Sequence, residues 1–167
     1  MKAIVCVDNN WGIGKGNQLL YHIPDDMKYF KEKTWGSTVV MGLNTLKSFP
    51  GGNPLKNRVN IVLCDDDSFY RDDIILVKSI DELNEVLTEY DTDNTFIIGG
   101  ASVYRQLVPL CDTVYVTKVD GSKEADVFFP NLDEDERWIC SEESEEMDYK
   151  DLKYKFTVYK TIETPEE

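Results

Sequence analysis

Short apolar runs recur along the chain, and segments whose apolar residues fall at helical spacing lie between them. The continuous runs are typical of strands that are buried on both faces of a sheet, and they cover residues 3–7, 37–42, 59–64, 74–77, 95–98 and 113–119. The helical segments cover residues 24–34, 45–49, 80–87 and 102–110. Strands that alternate with helices predict an α/β fold with a largely parallel sheet and right-handed crossovers.

The last part of the chain has a different pattern. Apolar and polar side chains alternate over residues 153–158, which predicts a strand with one buried and one exposed face. A further strand is predicted near residues 138–140, and because no helix separates the two, they indicate an antiparallel hairpin. Together the patterns predict about eight strands and about four helices in one domain over residues 1–162. Residues 163–167 form an acidic tail that we expect to fray.

The charge balance narrows the possible partners. The 167 residues carry a formal net charge of −14, which argues against nucleic acid or an anionic membrane surface as a partner. No apolar run is long enough to span a bilayer, and residues 1–8 lack the pattern of a signal peptide. Four widely spaced cysteines and a single His argue against a zinc site and indicate reduced thiols in a cytoplasmic protein.

Residues 19–30 combine an apolar entry, an acidic turn and helical spacing. Pro24 suits the first helical position, and Asp25 and Asp26 fall in the first turn, where the helix dipole favours negative charge. Asp26 also shares a helix face with Phe30, four residues further on. Two interpretations are open from this segment alone: the acids complement the dipole, or Asp26 faces a polar ligand beside an apolar surface.

Three glycine-containing segments follow predicted strands. Residues 11–17 are either a flexible connector or a loop that closes over a ligand, and the length of this loop favours the second. Gly99-Gly100 and the pair Gly42 and Thr45 each lie between a strand and a helix, where backbone can approach a phosphate closely. Because ligands of such sheets bind at the carboxyl ends of strands, two phosphate sites predict a dinucleotide.

Short segments in a fixed order run from residue 3 to about residue 161. They are Val7-Asp8, Gly12-Ile13-Gly14 with Asn17, Leu20 to Pro24 with Asp26, Phe30-Lys31, Val40-Met41-Gly42 with Thr45 and Ser48, Arg58 to Leu63, Ile97 to Ala101 with Val103-Tyr104, Tyr115 with Thr117, and Asp126 with Phe129-Pro130. Each segment is short, but their order and spacing together are highly specific. In this order and spacing the chain resembles the dihydrofolate reductase family.

The resemblance implies reduction of 7,8-dihydrofolate to 5,6,7,8-tetrahydrofolate, in support of one-carbon metabolism and thymidylate synthesis. Hydride would pass from NADPH to pterin C6, and N5 would gain a proton, which we expect to come through water. The catalytic positions are Asp26, Thr117 and Tyr21. Asp26 would bond the amino group and ring N–H of the pterin and make a cationic pterin less costly. Thr117 would orient Asp26, and Tyr21 would lie at the pocket entrance, where the family often has Trp.

Binding positions follow from the same resemblance. Arg58 is expected to pair with the glutamate carboxylate of the substrate, and the Gly99-Gly100 peptide is expected to be cis. The substrate positions are Cys6, Met27, Phe30, Phe49, Leu55, Arg58 and Ile98. The cofactor positions are Ile13, Gly14, Leu19, Gly42, Thr45, Gly99, Gly100, Ala101, Ser102, Val103 and Tyr104.

The expected site for the 2′-phosphate of NADPH departs from the family pattern. Leu43 stands where many relatives place an Arg, and Ser102 stands where some have another. Asp65 would repel a phosphate. One interpretation is that the preference for NADPH is weak and NADH is tolerated. The other is that Lys47 or Lys78 reaches the phosphate from a neighbouring position.

Two further function classes are weighed against this enzyme. A pterin- or nucleotide-binding module without turnover would not need Asp26, Thr117 and Gly99-Gly100 together. A reductase of a ribosylated pyrimidine on the same fold lacks the helix acid that faces Phe30. We therefore expect a monomeric cytoplasmic enzyme whose ligands are dihydrofolate, NADPH and antifolate inhibitors. An assay of NADPH oxidation with dihydrofolate distinguishes the three.

Overall fold

The computed structural model describes residues 1–162, so the predicted tail at 163–167 lies outside the described residues. Its strands are β1 (Lys2–Val7), β2 (Gly12–Lys15), β3 (Gln18–Leu19), β4 (Thr38–Gly42), β5 (Val59–Leu63), β6 (Ile75–Val77), β7 (Thr95–Gly99), β8 (Thr113–Asp120), β9 (Val127–Phe128), β10 (Trp138–Glu143), β11 (Met147–Tyr149) and β12 (Leu152–Thr161). Its helices are α1 (Pro24–Thr34), α2 (Leu43–Ser48), α3 (Ile80–Leu87) and α4 (Ala101–Leu107).

The large sheet has the strand order β10-β12-β8-β1-β7-β4-β5-β6, with β11 paired to β12 outside this path. Strand β1 is parallel to β7 and β8, and β4 is parallel to β5 and β7. Strand β12 runs antiparallel to β8, β10 and β11. The predicted α/β fold, with a mostly parallel sheet and a C-terminal antiparallel hairpin, is confirmed.

Side chains of the central strands are buried on both faces of the sheet. In β1, Ala3 and Val5 belong to a packed cluster that contains side chains of α3 and α4. The intervening Ile4 belongs to a second cluster, which contains side chains of α1 and α2. Helices therefore cover both faces, and this is why the strands have continuous apolar runs instead of alternating ones.

Two helix boundaries agree with their sequence signals. Helix α1 begins at Pro24, as predicted, and ends at Thr34. Before α3, the Ser79 hydroxyl accepts a hydrogen bond of 3.1 Å from the Glu82 N–H, which confirms the predicted N-cap. The Glu82 side chain accepts its bond from the Lys78 N–H at 2.7 Å, one residue earlier than in a standard capping box.

The prediction that residues 11–17 form a loop is wrong in part. This segment contains β2, which pairs with β3 and with β9 to form a small antiparallel sheet. Strands as short as β2, β3 and β9 show no recognisable alternation of apolar and polar residues. Strand β9 also lies far from β2 along the chain, so local sequence does not reveal their pairing. The predicted helix over residues 102–110 is also shorter, because Val108–Leu110 is a 3₁₀ turn in which Pro109 has no N–H to continue the α-helix.

Among residues 1–162, no helix is both long enough and apolar enough to cross a membrane.

Candidate functional site

A short hydrogen bond joins the start of α1 to the sheet. Asp26 is the third residue of α1, and Thr117 is a fully buried residue of β8. The Thr117 hydroxyl donates a bond of 2.5 Å to Asp26 Oδ1. Ile23, which is buried, and Pro24, at the first helical position, determine where the chain enters the helix. The structure thus brings this predicted pair together.

Cys6 lies beside the same carboxylate. Strands β1 and β8 are parallel with Cys6 opposite Thr117, so the two side chains leave the sheet on one face. The Cys6 thiol is near enough to Asp26 to be affected by its negative charge. Burial, and then the negative charge of Asp26, raises the pKa of Cys6 well above its usual range. The thiol therefore keeps its proton at neutral pH.

Opposing effects determine the charge of Asp26. Burial raises the pKa of its carboxyl, and the hydrogen bond from Thr117 partly offsets that rise. The Tyr104 hydroxyl donates to the Ile4 carbonyl at 2.8 Å, and burial raises the pKa of this phenol, so it stays neutral. A carboxylate that burial destabilises favours a ligand that offers N–H groups or positive charge.

An apolar surface is formed by side chains from four parts of the chain. Phe30 of α1, Phe49 after α2, Leu55 and Ile98 of β7 belong to one packed cluster. Met27, also predicted to line the substrate pocket, is 62% exposed. Four of the predicted apolar positions are therefore brought together, whereas Met27 is largely open to solvent.

Arg58 is held at the opposite end of α1. Its Nε and Nη2 atoms donate to the Thr34 hydroxyl at 3.3 and 3.2 Å, and Nη1 donates to the Lys56 carbonyl at 2.7 Å. The guanidinium carbon lies 5.1 Å from the centre of the Trp35 ring. Between Asp26 and Thr34 an α-helix rises about 12 Å. An acid and a fixed guanidinium therefore stand at the two ends of one helix.

Glycines Gly42, Gly99 and Gly100 meet at the carboxyl ends of β4 and β7. Gly99 has a φ of 126°, and the Gly99-Gly100 peptide is cis, as predicted. A Cβ at Gly99 would lie 3.4 Å from the Thr45 hydroxyl oxygen, and a Cβ at Gly42 would lie 3.2 Å from Val103. Side chains at these positions would fill the space beside α4, so the glycines leave room for a ligand to reach the backbone.

The other predicted cofactor positions fall into two groups. Residues 101–103 form the first turn of α4, where backbone N–H groups lack partners within the helix. Ile13 and Gly14 are buried in β2, whereas Leu19 in β3 is 60% exposed.

Two acids without a predicted role, Asp8 and Asp126, hold residues 11–17 in place. Asp8 is buried, and its Oδ1 accepts from the Gly12 N–H at 3.0 Å. Its Oδ2 accepts from the Lys123 N–H at 3.2 Å and from the Tyr21 hydroxyl at 3.4 Å. Asp126 accepts a hydrogen bond of 2.9 Å from a backbone N–H within residues 11–17. Tyr21 thus directs its hydroxyl to Asp8 and not to the predicted catalytic acid. The only signal for either acid was its place in a segment that carries the resemblance.

The surface segment that follows β5 along the chain carries several acidic residues. Lys78 Nζ pairs with Asp67 at 2.5 Å, and Asp66 accepts two hydrogen bonds from Ser68. Leu43 packs against the apolar cluster on the α1 and α2 face. One of the two lysines that could replace an Arg here is therefore already paired with an acid.

Within the described part of the chain, no group of three or more His, Cys, Asp or Glu side chains could hold a metal ion. The four cysteines of this range, Cys6, Cys64, Cys111 and Cys140, are free.

Comparison with known proteins gives one consistent family. A family model described as dihydrofolate reductase matches residues 1–161. The chain is 35% identical over 157 residues to the dihydrofolate reductase of Bacillus subtilis, covering 93% of this chain and 91% of that one. It is 34% identical over 130 residues to the dihydrofolate reductase of Staphylococcus aureus strain N315, covering 78% and 77%. A solved dihydrofolate reductase from Enterococcus faecalis, complexed with NADP(H) and RAB-propyl, matches with a TM-score of 0.85 at 30% identity over 97% of this chain and 96% of that one.

Proposed function

The chain belongs to the dihydrofolate reductase family, and from that premise we propose that its reaction centre is the pocket between Asp26 and Arg58. The protein is an NADPH-dependent enzyme that reduces 7,8-dihydrofolate to 5,6,7,8-tetrahydrofolate. The pterin-binding module without turnover and the reductase of a ribosylated pyrimidine are thereby set aside. The observation that carries the proposed centre is the 2.5 Å bond from Thr117 to Asp26 beside an apolar surface.

Asp26 is proposed to hold the pterin and to favour its protonation. The carboxylate would accept hydrogen bonds from the amino group and ring N–H of the pterin, and its negative charge would stabilise the cation that forms when N5 gains a proton. Thr117 already bonds one carboxylate oxygen, so its role is to orient the group. Because Asp26 holds the opposite edge of the pterin, the N5 proton is proposed to come from water.

Arg58 is proposed to bind the glutamate end of the substrate. Its guanidinium is fixed by Thr34 and Lys56, and a planar guanidinium suits a carboxylate. The apolar side chains Phe30, Phe49, Leu55 and Ile98 would contact the aromatic part between the two charged ends. Three of these four side chains are only partly buried, which leaves apolar surface for the ligand to cover.

The residues around the three glycines fit a dinucleotide. When bound, NADPH supplies the hydride. Gly42, Thr45 and Gly99-Gly100 would hold its phosphates, because the backbone can be approached there and the Thr45 hydroxyl can donate. Tyr104 would lie beside the nicotinamide, with its hydroxyl fixed on the Ile4 carbonyl. Backbone at Cys6 and Ile13 would dock the carboxamide.

The remaining expectations concern partners and compartment. We propose that the enzyme acts as a monomer in the cytoplasm, binds antifolate inhibitors at the Asp26 pocket and has no nucleic-acid partner. A net charge of −14 supports the last point, and four free thiols support a reducing compartment. The domain is proposed to span residues 1–162.

The test is Asp26→Asn, with Asp25→Asn as the matched control. Asp25 is the preceding residue of the same helix turn, but it is exposed and accepts from the Tyr154 hydroxyl at 3.1 Å. Oxidation of NADPH with dihydrofolate at pH 7 should fall by about 10²–10³-fold in Asp26→Asn and should stay close to wild type in Asp25→Asn. The Asp26→Asn deficit should shrink at lower pH, where more substrate is protonated in solution. Wild-type turnover of Asp26→Asn at pH 7 would contradict the proposal.

A further inference from the structure

One buried amide binds the backbone at both ends of the turn that precedes β5. Asn60 of β5 is buried, and its side chain leaves the sheet on the same face as Val62, where the apolar cluster that includes Phe30 lies. Its Oδ1 accepts from the Leu55 N–H at 3.0 Å, and its Nδ2 donates to the Leu55 carbonyl at 2.9 Å. The same nitrogen donates to the Arg58 carbonyl at 3.2 Å. A single side chain therefore holds two residues of the proposed substrate pocket.

We propose that Asn60 is a positioning residue for substrate binding, whose amide fixes Leu55 against the aromatic part of dihydrofolate and Arg58 against its glutamate carboxylate. The inference rests on the proposed roles of Leu55 and Arg58. Asn60 itself has no contact with the substrate to offer, because its amide oxygen and both of its N–H groups already bind backbone.

The turn that Asn60 closes runs as irregular chain from the 3₁₀ turn at Pro50–Gly52 to the start of β5. Asn57, within this turn, has a φ of 60°, and its carbonyl accepts from the Gly36 N–H at 2.9 Å. Leu55 lies outside the sheet, so the amide of Asn60 takes the place of a neighbouring strand by binding both its N–H and its carbonyl. The position of Leu55 thus depends on a side chain five residues further along the chain.

Arg58 is held at both ends of its side chain. The Thr34 hydroxyl and the Lys56 carbonyl accept hydrogen bonds from the guanidinium, whereas Asn60 binds the backbone carbonyl of Arg58. Without the amide, the partly buried backbone groups of Leu55 and Arg58 lose their partners, so the turn must shift to find others. A guanidinium binds a carboxylate in a defined planar geometry, and a displacement of about 1 Å can cost about a hundredfold in rate. Loss of Asn60 should therefore weaken the binding of the glutamate end.

The experiment compares dihydrofolate with a 7,8-dihydropterin that carries only a methyl group at C6. This short substrate keeps the ring that Asp26 is proposed to hold, but it has neither the aromatic part nor the glutamate. The kcat and KM for both substrates, and the KM for NADPH, are measured in Asn60→Ala, in Arg58→Ala and in the double variant. Thr157→Val is the matched control, because Thr157 is also buried and its hydroxyl donates to the Val116 carbonyl at 2.7 Å, but four strands separate β12 from β5.

Asn60→Ala should raise the KM for dihydrofolate by about tenfold or more and leave kcat nearly unchanged, because it weakens binding that the substrate and the transition state share. The kcat/KM for the methyl-dihydropterin and the KM for NADPH should stay at their wild-type values. In the Arg58→Ala background, Asn60→Ala should cost less than it does in the wild type, since part of what it positions is gone. Thr157→Val should alter thermal stability but not the KM for either substrate.

The inference is overturned if Asn60→Ala leaves the KM for dihydrofolate at its wild-type value, or if it raises the KM for both substrates equally, as a general loss of structure would. If Asn60→Ala does not fold, Asn60→Asp decides: it keeps the acceptor for the Leu55 N–H but cannot donate to both carbonyls, so the same selective loss is expected and its absence refutes the inference. The two proposals fail separately. A wild-type KM in Arg58→Ala refutes the proposed role of Arg58, whereas a raised KM in Arg58→Ala beside an unaffected Asn60→Ala refutes only the role of Asn60.

Discussion

Leu43→Arg should raise the preference of the enzyme for NADPH over NADH. Leu43 is the first residue of α2, directly after Gly42. The resemblance to the family implies that many relatives have an Arg at this position to hold the 2′-phosphate. The leucine packs against the apolar cluster and can offer the phosphate no bond. We expect the wild-type enzyme to discriminate less between the two cofactors than Arg-bearing relatives do.

The size of the expected change in cofactor preference follows from the charged groups around Leu43. A hydrogen bond to a charged group contributes about 1.5–3 kcal/mol, which corresponds to about tenfold or more in kcat/KM. The acids beyond β5 reduce this gain, because Asp66 and Asp67 can attract the new guanidinium away from the cofactor. Lys78 is already paired with Asp67 at 2.5 Å, although an exposed pair of this kind is weak. We therefore expect a tenfold increase in the preference, with little change in kcat.

The assay measures kcat/KM for both cofactors with saturating dihydrofolate, at low and at physiological salt. Leu43→Gln serves as the control, because it adds a polar side chain without charge. Screening weakens exposed charge pairs over about 8–10 Å, so the added preference should shrink as salt rises. A wild-type preference of several thousandfold, unchanged in Leu43→Arg and lost in Lys78→Gln, would refute the reasoning and identify Lys78 as the base that holds the phosphate.

Two further predictions concern the Asp26 pocket. Thr117→Val removes only a hydroxyl from a buried site, so we expect the pKa of Asp26 to rise and kcat/KM to fall by about tenfold or more. Carbon-13 titration of the carboxyl and steady-state kinetics measure these two effects. An unchanged rate would contradict the prediction. Burial raises the pKa of Asp26 in the folded protein above its value in the unfolded chain. The contribution of the Asp26 carboxyl to the stability of the folded protein is therefore complete below the unfolded-state pKa, and it is lost as pH rises through the folded-state pKa. Asp26→Asn should therefore be more stable than wild type above the folded-state pKa of Asp26, and this difference in stability should vanish as pH falls below that pKa. Urea unfolding of both proteins from pH 4 to 8 measures the difference, and a difference that did not depend on pH would contradict the prediction.

Local patterns in the sequence were enough to predict most of the sheet and its helices. Pro24 specifies where α1 begins, Ser79 caps α3, and continuous apolar runs identify strands buried on both faces. These features depend on residues within a few positions of one another, so they can be read from the chain directly. The hairpin at the C-terminal end follows similarly from the alternation over residues 153–158.

Tertiary structure decided which chemically important side chains meet. The glycine-rich segment forms β2 only because it pairs with β9, and the hydroxyl of Tyr21 reaches Asp8 only because the chain folds back there. Cys6 lies beside Thr117, the hydrogen-bond partner of Asp26, because β1 and β8 are in register, a relation that no local spacing expresses. The resemblance assigned functions to positions, but these contacts depend on strand register and on burial, which arise when distant segments pack together.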